Sequence, residues 1–531
     1  MPSFAAIDVG SNALRLRIVE ADGPSPASGE RLQLPLLPAA ATAEGVWREV
    51  ASVRAPVRLG AEVFVSGKLA PTSIGRACAA LKDFRREMDE AKVVSYRATA
   101  TSAVREAANG ATLVERARRE AGIDLEVIYG IEEARLIQLA VSRRLLLEDR
   151  RVLLIDVGGG STELTVLDRG QSSFSISLPL GSVRLLETFL KDATTMSGEL
   201  TRIVDEAVER ALGEARPQLS RLAGGTSGLT LVGTGGNIET LADLCRAKVP
   251  ELAGHAAADV AAVRELFPKL CAMSPAERAR AHGLRPDRAD TIVPAAAIFL
   301  HIAESLKASQ IVAPSVGLKD GILEELVDKH FQVWDVLREA ENVLGACTRL
   351  GQRYQFDEAH GKLVARLAAQ LFDDLRDEHR LGDRDRLLLR ASALLHDIGD
   401  FVRYDGHHKH SFYLIQHSDI MGVTPDERAL IANVARYHRK SGPDPSHPNF
   451  RELDKEARGK VRALAAMLRI ADALDREHLG KVRNVRAAID KTRGRVQLTI
   501  DGDHERELEE WTVRAKAGLF RDVFGLEIAI G

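Results

Sequence analysis

The chain has 531 residues, of which 45% are hydrophobic and 28% are charged, and its formal net charge is −3. This composition is typical of a soluble globular protein and excludes a disordered tail or a single small module. It also excludes a strongly basic field over the whole chain, so no nucleic-acid partner is predicted and a polyanionic ligand would need a local basic site. At ~100 to 200 residues per domain, the length predicts about three or four domains.

The first residues do not have the pattern of a targeting segment. Met1 runs directly into a strand-like segment that carries Asp8, without the basic and apolar regions of a signal peptide. The apolar stretch at 291–300 is flanked by Asp290 and His301, and it falls short of the ~20 residues that a bilayer span needs. We therefore expect a cytoplasmic protein without a membrane partner.

A strand followed by a glycine-rich turn occurs twice in the first half of the chain. The two copies are residues 6–12 (AIDVGSN) and residues 154–163 (LIDVGGGSTE), and each precedes a second apolar run. In both copies the first run ends in Asp, at Asp8 and Asp156, and glycine follows where the backbone turns tightly and exposes N–H groups. The repeat predicts two related lobes, each with a turn suited to phosphate.

Two further glycine-rich segments follow. Residues 233–237 (GTGGN) come after a strand-like run and lead into a helix, and residues 317–321 (GLKDG) are predicted as a loop before another helix. A single Asp-Gly turn is a weak signal because these residues are common in turns. Two such turns together with the GTGG turn predict a phosphate-handling site.

Helices and strands alternate over the first 325 residues. Helices are predicted at 71–90, 109–121, 131–147, 182–190 and 198–222, and strands at 92–97, 125–129 and 311–313. This alternation predicts an α/β class. Residues 21–45, rich in Pro and Ala, are predicted as a surface loop insertion. Beyond residue 325 the pattern is helical almost throughout until residue 495, with short strands predicted at 495–501 and 520–530.

These motifs resemble those of known proteins. The two turns resemble the pattern of the actin, sugar-kinase and heat-shock chaperone ATPase superfamily, in which phosphate is held between two lobes. Residues 98–110 (ATATSAVREAANG), 127–136 (VIYGIEEARL) and 155–164 (IDVGGGSTEL) resemble motifs of the exopolyphosphatase and guanosine pentaphosphate phosphatase family. The resemblance covers the whole chain in order, and it implies a homodimer.

The resemblance implies roles for particular residues. The implied phosphate-binding residues are Gly10, Ser11, Asn12, Arg15, Arg105, Gly158, Gly159, Gly160, Ser161, Thr162, Gly235 and Lys319. Glu133, Asp156 and Glu163 are the implied catalytic carboxylates, with Glu133 facing the attacking water. Hydrolysis of a phosphoanhydride needs such a carboxylate, and Asp8, Asp156 and Glu163 can hold Mg²⁺ through oxygen ligands. The alternative is that Glu133 is a first-turn acid of a helix and Arg105 an ordinary surface cation.

Histidine is concentrated in the second half, where 11 of the 15 histidines lie beyond residue 340. The pattern resembles the HD domain of metal-dependent phosphohydrolases. The implied ligands are His360, His396, Asp397, His410, His438 and Asp472, which suit a divalent transition metal. His407 and His408 are ambiguous neighbours of His410, and a degenerate regulatory domain without metal is the alternative.

The expected architecture is a two-lobed, actin-like (ribonuclease H-like) α/β core, an all-α HD-type domain and a small C-terminal α+β piece. The expected divisions are 1–130, 131–325, 326–480 and 481–531. The predicted activity is processive, Mg²⁺-dependent release of orthophosphate from inorganic polyphosphate. Guanosine pentaphosphate is the alternative or additional substrate. A kinase or a nucleotide-switched binding protein of the same superfamily is the remote alternative.

Overall fold

A computed structural model describes residues 1–23, 47–147, 150–190, 228–249, 254–331, 336–503 and 505–531, with part of 202–213. Its contacts form two compact units, residues 1–334 and 335–531. The insertion predicted at 21–45 and the helix predicted at 198–222 lie largely outside the described residues. The finer division at 130, 325 and 480 stays a prediction.

The first sheet of unit 1 is built around a fully buried strand. Its five strands, from edge to edge, are Trp47–Ala55, Leu14–Ala21, Ser3–Val9, Val93–Ala100 and Leu125–Val127. The helices of this part are Gly60–Ser66, Pro71–Glu90, Ser102–Glu106, Gly110–Ala121 and Gly130–Arg144. All seven residues of Ser3–Val9 are buried, as expected for an apolar run at the centre of a sheet that is covered on both faces.

A second sheet repeats the arrangement of the first. Its seven strands, in order, are Arg246–Val249, His255–Asp259, Gln310–Val312, Leu229–Thr234, Arg151–Val157, Thr162–Asp168 and Gln171–Leu178. In each lobe the Asp-bearing strand pairs antiparallel with the strand after the turn and parallel with a later strand. Asp8 lies opposite Arg15, and Asp156 lies opposite Glu163. The predicted repeat and the two-lobed α/β fold are confirmed.

Helices complete the second lobe. They are Ser182–Leu185, continued by a π-helical turn at Leu186–Leu190, then Gly236–Leu244, Val260–Ala272, Pro275–His282, Pro286–Ser305 and Leu318–His330. The loop predicted at 317–321 is wrong beyond its first residue, because the last helix begins at Leu318. The Asp320 carboxylate accepts a hydrogen bond from the Gly317 N–H (2.7 Å), which satisfies a free donor at this helix start. Lys319 therefore lies in the first helical turn.

The helix Leu318–His330 returns to the first lobe. Its buried Ile322, Leu323 and Val327 pack in one cluster with Phe4 of the first strand. A Cβ on Gly321 would lie 2.0 Å from the Leu136 carbonyl oxygen, so the contact with the helix Gly130–Arg144 requires glycine there. The last helix of unit 1 thus completes the core that the first strand begins.

Unit 2 is a helical bundle with a small sheet. Its helices are Val336–Arg353, Glu358–Asp374, Arg376–His379, Asp383–Leu395, a 3₁₀ turn at Ile398–Phe401, His407–Gln416, Pro425–Arg436, Pro448–Arg451, Lys455–Ala473, Glu507–Lys516 and Gly518–Phe524. Its strands are Val482–Asp490, Arg495–Gly502 and Glu527–Ile530, with Arg495–Gly502 in the middle. Helices and strands share one apolar core.

The elements of unit 2 differ from the predicted ones in two places. The strand predicted at 495–501 is confirmed, whereas the continuous helical pattern up to residue 495 is wrong because Val482–Asp490 is a strand. The strand predicted over 520–530 is wrong in its first half, where Phe520 and Phe524 lie one helical turn apart and contact the core. Within the described residues, none of the helices combines the length and hydropathy of a bilayer span.

Candidate active site

The two phosphate loops predicted from the sequence contact each other. A Cβ on Gly159 would lie 3.0 Å from the Ser11 Cβ, and one on Gly160 would lie 2.3 Å from the Ser102 hydroxyl. The hydroxyls of Ser11 and Ser102 are themselves 3.0 Å apart and buried. Glycine at 159 and 160 therefore lets the loops of the two lobes meet.

Ion pairs join the lobes beside these loops. Arg54 on the edge strand of the first sheet lies 2.5 Å from Asp287, and Arg58 lies 2.7 Å from Asp290. The Asn12 amide of the first phosphate loop also donates to Asp287 (3.4 Å). Both acids belong to the helix Pro286–Ser305 of the second lobe. No local pattern predicts these contacts, because each cation and its acid are more than 230 positions apart.

Three carboxylates lie next to the loops: Asp8 and Glu163 are buried, and Asp156 is half-buried. Arg15 donates to Asp8 (3.1 Å), Thr234 to Asp156 (2.6 Å), and Ser177 to Glu163 (2.7 Å). Of the three donors, Arg15 is a predicted site residue, whereas Thr234 and Ser177 are not among the predicted site residues. Thr234 belongs to the quoted GTGG turn, which was the available signal.

The electrostatics of these carboxylates favour a bound cation. Burial, and then the neighbouring Asp156, raise the pKa of Glu163 to about 7. Burial and the charge of Asp8 on the other lobe raise the pKa of Asp156. The second oxygen of Glu163, Oε2, is buried without a hydrogen-bond partner among the described residues. Such a cluster is stabilised by a cation that neutralises its charge.

The three carboxylates do not converge on one point. Within the described ranges, sets of three ligand atoms within 4.8 Å of one another occur in unit 2, and none of them includes Asp8, Asp156 or Glu163. Mg²⁺ commonly takes one or two carboxylates and completes its shell with waters and substrate phosphate oxygens. The donors fit that mode of binding, and Mg²⁺ dependence stays a prediction.

Glu133 and Arg105 form a buried ion pair at the same place. Arg105 Nη1 donates to Glu133 Oε1 (2.9 Å) and to the carbonyl of Ile128 (2.7 Å), and Glu133 is 6% exposed. A Cβ on Gly130, at the start of the Glu133 helix, would lie 3.2 Å from Glu163 Oε1. Burial and the charge of Glu163 raise the pKa of Glu133 well above its usual range, against the effect of Arg105. Glu133 does lie in the first turn of its helix, as the alternative has it, but it is buried, and Arg105 is half-buried rather than exposed. The catalytic role of Glu133 stays a prediction.

Replacing Arg105 tests its contact with the reacting phosphate. We expect Arg105→Ala to raise KM and to lower kcat/KM by about 100-fold, the usual cost of losing one charged donor to the transition state. Arg105→Lys should restore part of the activity, since an ammonium replaces a planar fork. Arg118→Ala removes a largely exposed arginine paired with an exposed Asp124 and should have no effect. Steady-state kinetics of the three variants checks this, and wild-type values in Arg105→Lys would contradict bidentate contact.

A basic group lies on the second-lobe side of the carboxylates. Arg288 is 9% exposed and donates to the side chain of Asn237. Burial, and then the charge of Arg15, lower the pKa of Arg288 to about 10. Burial raises the pKa of Glu239, and the positive charges of Arg288, Lys319 and Arg15 oppose this rise. The structure thus adds Arg288 to the predicted Arg15 and Lys319.

The third glycine-rich turn leaves room for the Arg288 side chain. Gly235 has a φ of +88°, a backbone conformation that favours glycine, and it lies beside Asp156, since a Cβ there would be 3.6 Å from Asp156 Oδ1. A Cβ on Gly236 would lie 2.1 Å from Arg288 Nη2. Arg288 could not be identified from the sequence, because it occupies an ordinary helix with no motif around it.

Unit 2 contains a cluster of histidines around Asp397. Asp397 Oδ2 lies 3.5 Å from His396 Nε2 and 3.9 Å from His360 Nε2, whereas Oδ1 lies 3.1 Å from His407 Nε2 and 3.4 Å from His438 Nε2. The carboxylate therefore stands between two pairs of imidazoles. All four histidines are buried.

Each of these rings is oriented by a partner on its other nitrogen. The Nδ1 contacts are His360 with Asp475 (2.7 Å), His396 with the Ala393 carbonyl (2.7 Å), His407 with Asp400 (2.6 Å) and His438 with the Ala435 carbonyl (2.7 Å). Such contacts fix the Nδ1–H tautomer and leave Nε2 free to bind a metal. The donors fit one or two transition-metal ions.

The cluster lacks one histidine of the predicted ligand set, His410, and contains two that were not predicted as ligands, His407 and the exposed His478. The groups that can share an ion are His360, His396 and Asp472; Asp397, His407 and His438; and His360, Asp397 and His478. His407, at the start of its helix, occupies the place predicted for His410, which the structure brings into none of these groups. Asp472 is also paired with Lys516. The spacing within the segment HHKH gave no means to choose between these histidines.

Two duplicated lobes whose glycine loops meet around buried carboxylates and arginines define a phosphate-handling protein of the actin-like fold class. Family models identify it further: the Ppx/GppA phosphatase family matches residues 40–330, and Ppx/GppA phosphatase, domain III, matches residues 345–516. The chain belongs to the Ppx/GppA phosphatase family and is therefore an enzyme that hydrolyses phosphoanhydride bonds. The resemblance found in its motifs is confirmed, and the HD assignment stays a prediction.

Individual relatives support the family. Proteins of Vibrio campbellii and Aeromonas hydrophila, both named guanosine-5'-triphosphate,3'-diphosphate pyrophosphatase, are each 26% identical over 441 and 442 residues. These matches cover 83% and 81% of this chain and 81% and 79% of the relatives. An exopolyphosphatase of Cytophaga hutchinsonii, known as a crystal structure, is 24% identical with a TM-score of 0.52, covering 62% of this chain and 98% of that one. This last likeness supports the two-lobed fold.

Proposed function

We propose that unit 1 removes terminal orthophosphate from inorganic polyphosphate, with Glu133 as the general base. The observation that carries this proposal is the buried Glu133–Arg105 pair beside Glu163, next to the contact between the two phosphate loops. A carboxylate with a raised pKa can accept the proton of the attacking water near neutral pH. Mg²⁺ held by Asp8, Asp156 or Glu163 would neutralise the charge of the phosphate oxygens.

Other groups of unit 1 would bind the oxygens of the substrate phosphates. The N–H groups of Gly10 and Gly158 close their own turns by donating to the carbonyls of Ala13 and Ser161, and the N–H groups of residues 11–12 and 159–161 would donate to the oxygens of the terminal phosphate. Arg105, released from part of its contact with Glu133, donates to the same phosphate. Arg288 and Lys319 provide positive charge for the phosphates that follow along the polymer.

Two side chains of the third turn support polyphosphate over a nucleotide. Asn237 is buried and accepts a hydrogen bond from Arg288, and Ile238 is fully buried in the core of the second lobe. Neither is available to hold a base or ribose, which also speaks against a kinase. The names of the Vibrio and Aeromonas relatives favour guanosine pentaphosphate as a second candidate substrate.

Phosphate release assayed in parallel tests the choice of substrate. Long-chain polyphosphate, guanosine pentaphosphate and ATP are compared with and without Mg²⁺. We expect polyphosphate to give the highest kcat/KM and chelation of Mg²⁺ to abolish it. A preference for guanosine pentaphosphate would select the second candidate, and hydrolysis of ATP alone would contradict both.

Removing unit 2 tests where long polymers bind. We expect residues 1–334 to hydrolyse short substrates and to lose affinity for long polyphosphate, because the phosphate loops all lie in unit 1 and distributed contacts raise the effective concentration at the site. The measurement is KM against chain length for the fragment and the full chain. Equal KM values for long polymer would remove unit 2 from substrate binding.

For unit 2 we propose a divalent transition-metal centre with Asp397 between the two imidazole pairs. The pattern of ring contacts on Nδ1 supports it. The centre is proposed as structural or regulatory, separate from the hydrolysis in unit 1. The homodimer and the cytoplasmic location stay predictions.

A further inference from the structure

Arg54 extends a row of charged side chains beside the first phosphate loop. In the strand register Asp8 lies opposite Arg15, and Arg15 lies opposite Arg54 on the edge strand Trp47–Ala55. Residues directly opposite each other on neighbouring strands share a face of the sheet, so the two arginines are side-chain neighbours. Arg15 is a predicted phosphate-binding residue, and Arg54 lies one strand further along the same face.

The two arginines repel each other, and each is held by a carboxylate. Arg15 pairs with Asp8, whereas Arg54 takes its partner from the second lobe, Asp287, whose Oδ2 lies 2.5 Å from Nη2. Burial lowers the pKa of Arg54, and the charge of Asp287 opposes this effect. The charges of Arg285 and Arg15 lower the same pKa further. Positive charge is therefore concentrated around the Asp287 carboxylate.

The pair with Asp287 uses only part of the Arg54 guanidinium. Nη2 is the donor to Asp287, and Nε of Arg54 is buried without a hydrogen-bond partner among the described residues. Buried donors are normally satisfied, so the unused Nε indicates a ligand with more acceptor oxygens than Asp287 offers here. A phosphate group can accept from two N–H groups of one guanidinium at once.

The same carboxylate also contacts the first phosphate loop. The Asn12 amide donates to Asp287 Oδ2 (3.4 Å), the oxygen that accepts from Arg54. A loop donor and a guanidinium donor thus converge on one anionic oxygen, as they would on a phosphate oxygen. Asp287 lies in the first turn of the helix Pro286–Ser305, where an acid is favourable, but this preference does not explain its contact with two donors of the other lobe.

We infer that Arg54 binds a phosphate of the substrate and that Asp287 holds Arg54 when no substrate is bound. This inference rests on the function proposed for unit 1. The substrate must displace the carboxylate from Arg54 and Asn12, so Asp287 acts as an internal competitor. If Asp287 holds Arg54 for about nine-tenths of the time, apparent affinity is reduced about 10-fold. The displacement also releases one link between the two lobes.

Binding of orthophosphate to the full chain, measured by calorimetry, tests the competition without turnover. We expect Asp287→Asn to lower Kd about 10-fold, because asparagine keeps the size of the side chain and removes the charge that holds Arg54. Arg54→Ala should raise Kd. Adding Asp287→Asn to Arg54→Ala should bring no gain, because the competitor then has no guanidinium to release.

Asp290→Asn is the matched control. It removes the same charge one helical turn further along, from the pair with Arg58 (2.7 Å), and it leaves the contacts of Asp287 in place. We expect this variant to keep the wild-type Kd. Equal tightening in Asp287→Asn and Asp290→Asn would reveal a general charge effect, and an unchanged Kd in Asp287→Asn would show that no competition exists. Either result overturns the inference.

Hydrolysis of polyphosphate by the same variants separates this inference from the proposed function. If orthophosphate binds as expected but the wild type does not hydrolyse polyphosphate, the proposed function fails and the contact between Arg54 and a phosphate stands. If the wild type hydrolyses polyphosphate and Asp287→Asn shows no tighter binding, the inference alone fails. Where both are correct, KM of Asp287→Asn falls together with its Kd.

Discussion

Glu133→Gln is expected to reduce kcat by about 100- to 10,000-fold, the range measured when a general base is removed. The amide keeps the size of the carboxylate and its place beside Arg105, but it cannot accept a proton. Substrate binding should stay close to wild type, because the phosphate loops and the basic group are unchanged. Single-turnover phosphate release and equilibrium binding of polyphosphate are the two measurements.

The neighbouring acid provides a matched control. Glu132 lies in the same first helical turn, but it is held by Arg97 and Arg135, which keep its pKa below the usual range despite burial. Glu132→Gln should therefore affect stability more than turnover. Wild-type turnover in Glu133→Gln, or an equal loss in both variants, would remove Glu133 from the chemistry.

The pH dependence of turnover follows from the same group. Burial and the charge of Glu163 raise the pKa of Glu133, so the carboxyl is protonated over a pH range in which an exposed glutamate is ionised. A base is inactive when protonated, and kcat of the wild type should fall as the pH is lowered through this raised pKa. The fall should be absent from the residual activity of Glu133→Gln.

Asp397→Ala is expected to abolish metal binding in unit 2 and to lower its free energy of unfolding by about 1 to 3 kcal/mol. The carboxylate stands between both pairs of imidazoles, and its loss leaves four buried rings without their shared partner. Elemental analysis and thermal unfolding with and without chelator measure the two effects. Asp419→Ala, which removes an exposed acid paired with Arg428, is the control.

Proton release provides a second readout for this centre. Although burial opposes the charge, Asp397 and Asp472 raise the pKa of His396 to about 9. A metal ion bound at His396 must displace that proton, so apparent affinity should increase with pH up to about 9 and binding should acidify an unbuffered solution. Hydrolysis of polyphosphate should survive in Asp397→Ala. Loss of hydrolysis there but not in Glu133→Gln would move the active site to unit 2.

The lobes and their loops could be predicted because the apolar strand, the Asp and the glycines are contiguous in the sequence. The same holds for Glu133 and Arg105, which lie in recognisable motifs. Arg288 and the Arg54–Asp287 pair could not be predicted, since they reach the site through pairings between distant segments. Ser177 lies directly opposite Glu163 on the next strand, but it belongs to no motif, and its place depends on the register of that strand pair. For a site assembled from two lobes, a single sequence therefore predicts the contiguous motifs but not the contacts between distant residues.

In unit 2 the spacing of the histidines predicted a cluster but not its members. Which of His407 and His410 enters the cluster depends on where the helix begins relative to Asp397, and this is set by tertiary packing. The helix Gly518–Phe524 could not be predicted for a related reason. Phe520 and Phe524 fit either a strand or a helix in so short a run, and packing against the core decides between them.

The return of the helix Leu318–His330 to the first strand has a consequence during synthesis. Phe4 and its neighbours emerge from the ribosome early, but the residues that cover them, Ile322, Leu323 and Val327, follow more than 300 positions later. At ~5 to 20 residues per second, the amino-terminal lobe waits roughly 15 to 60 s with an uncovered apolar face. The nascent chain should therefore depend on chaperones over this interval, and the lobe should become protease-resistant only after residue 330 has left the exit tunnel.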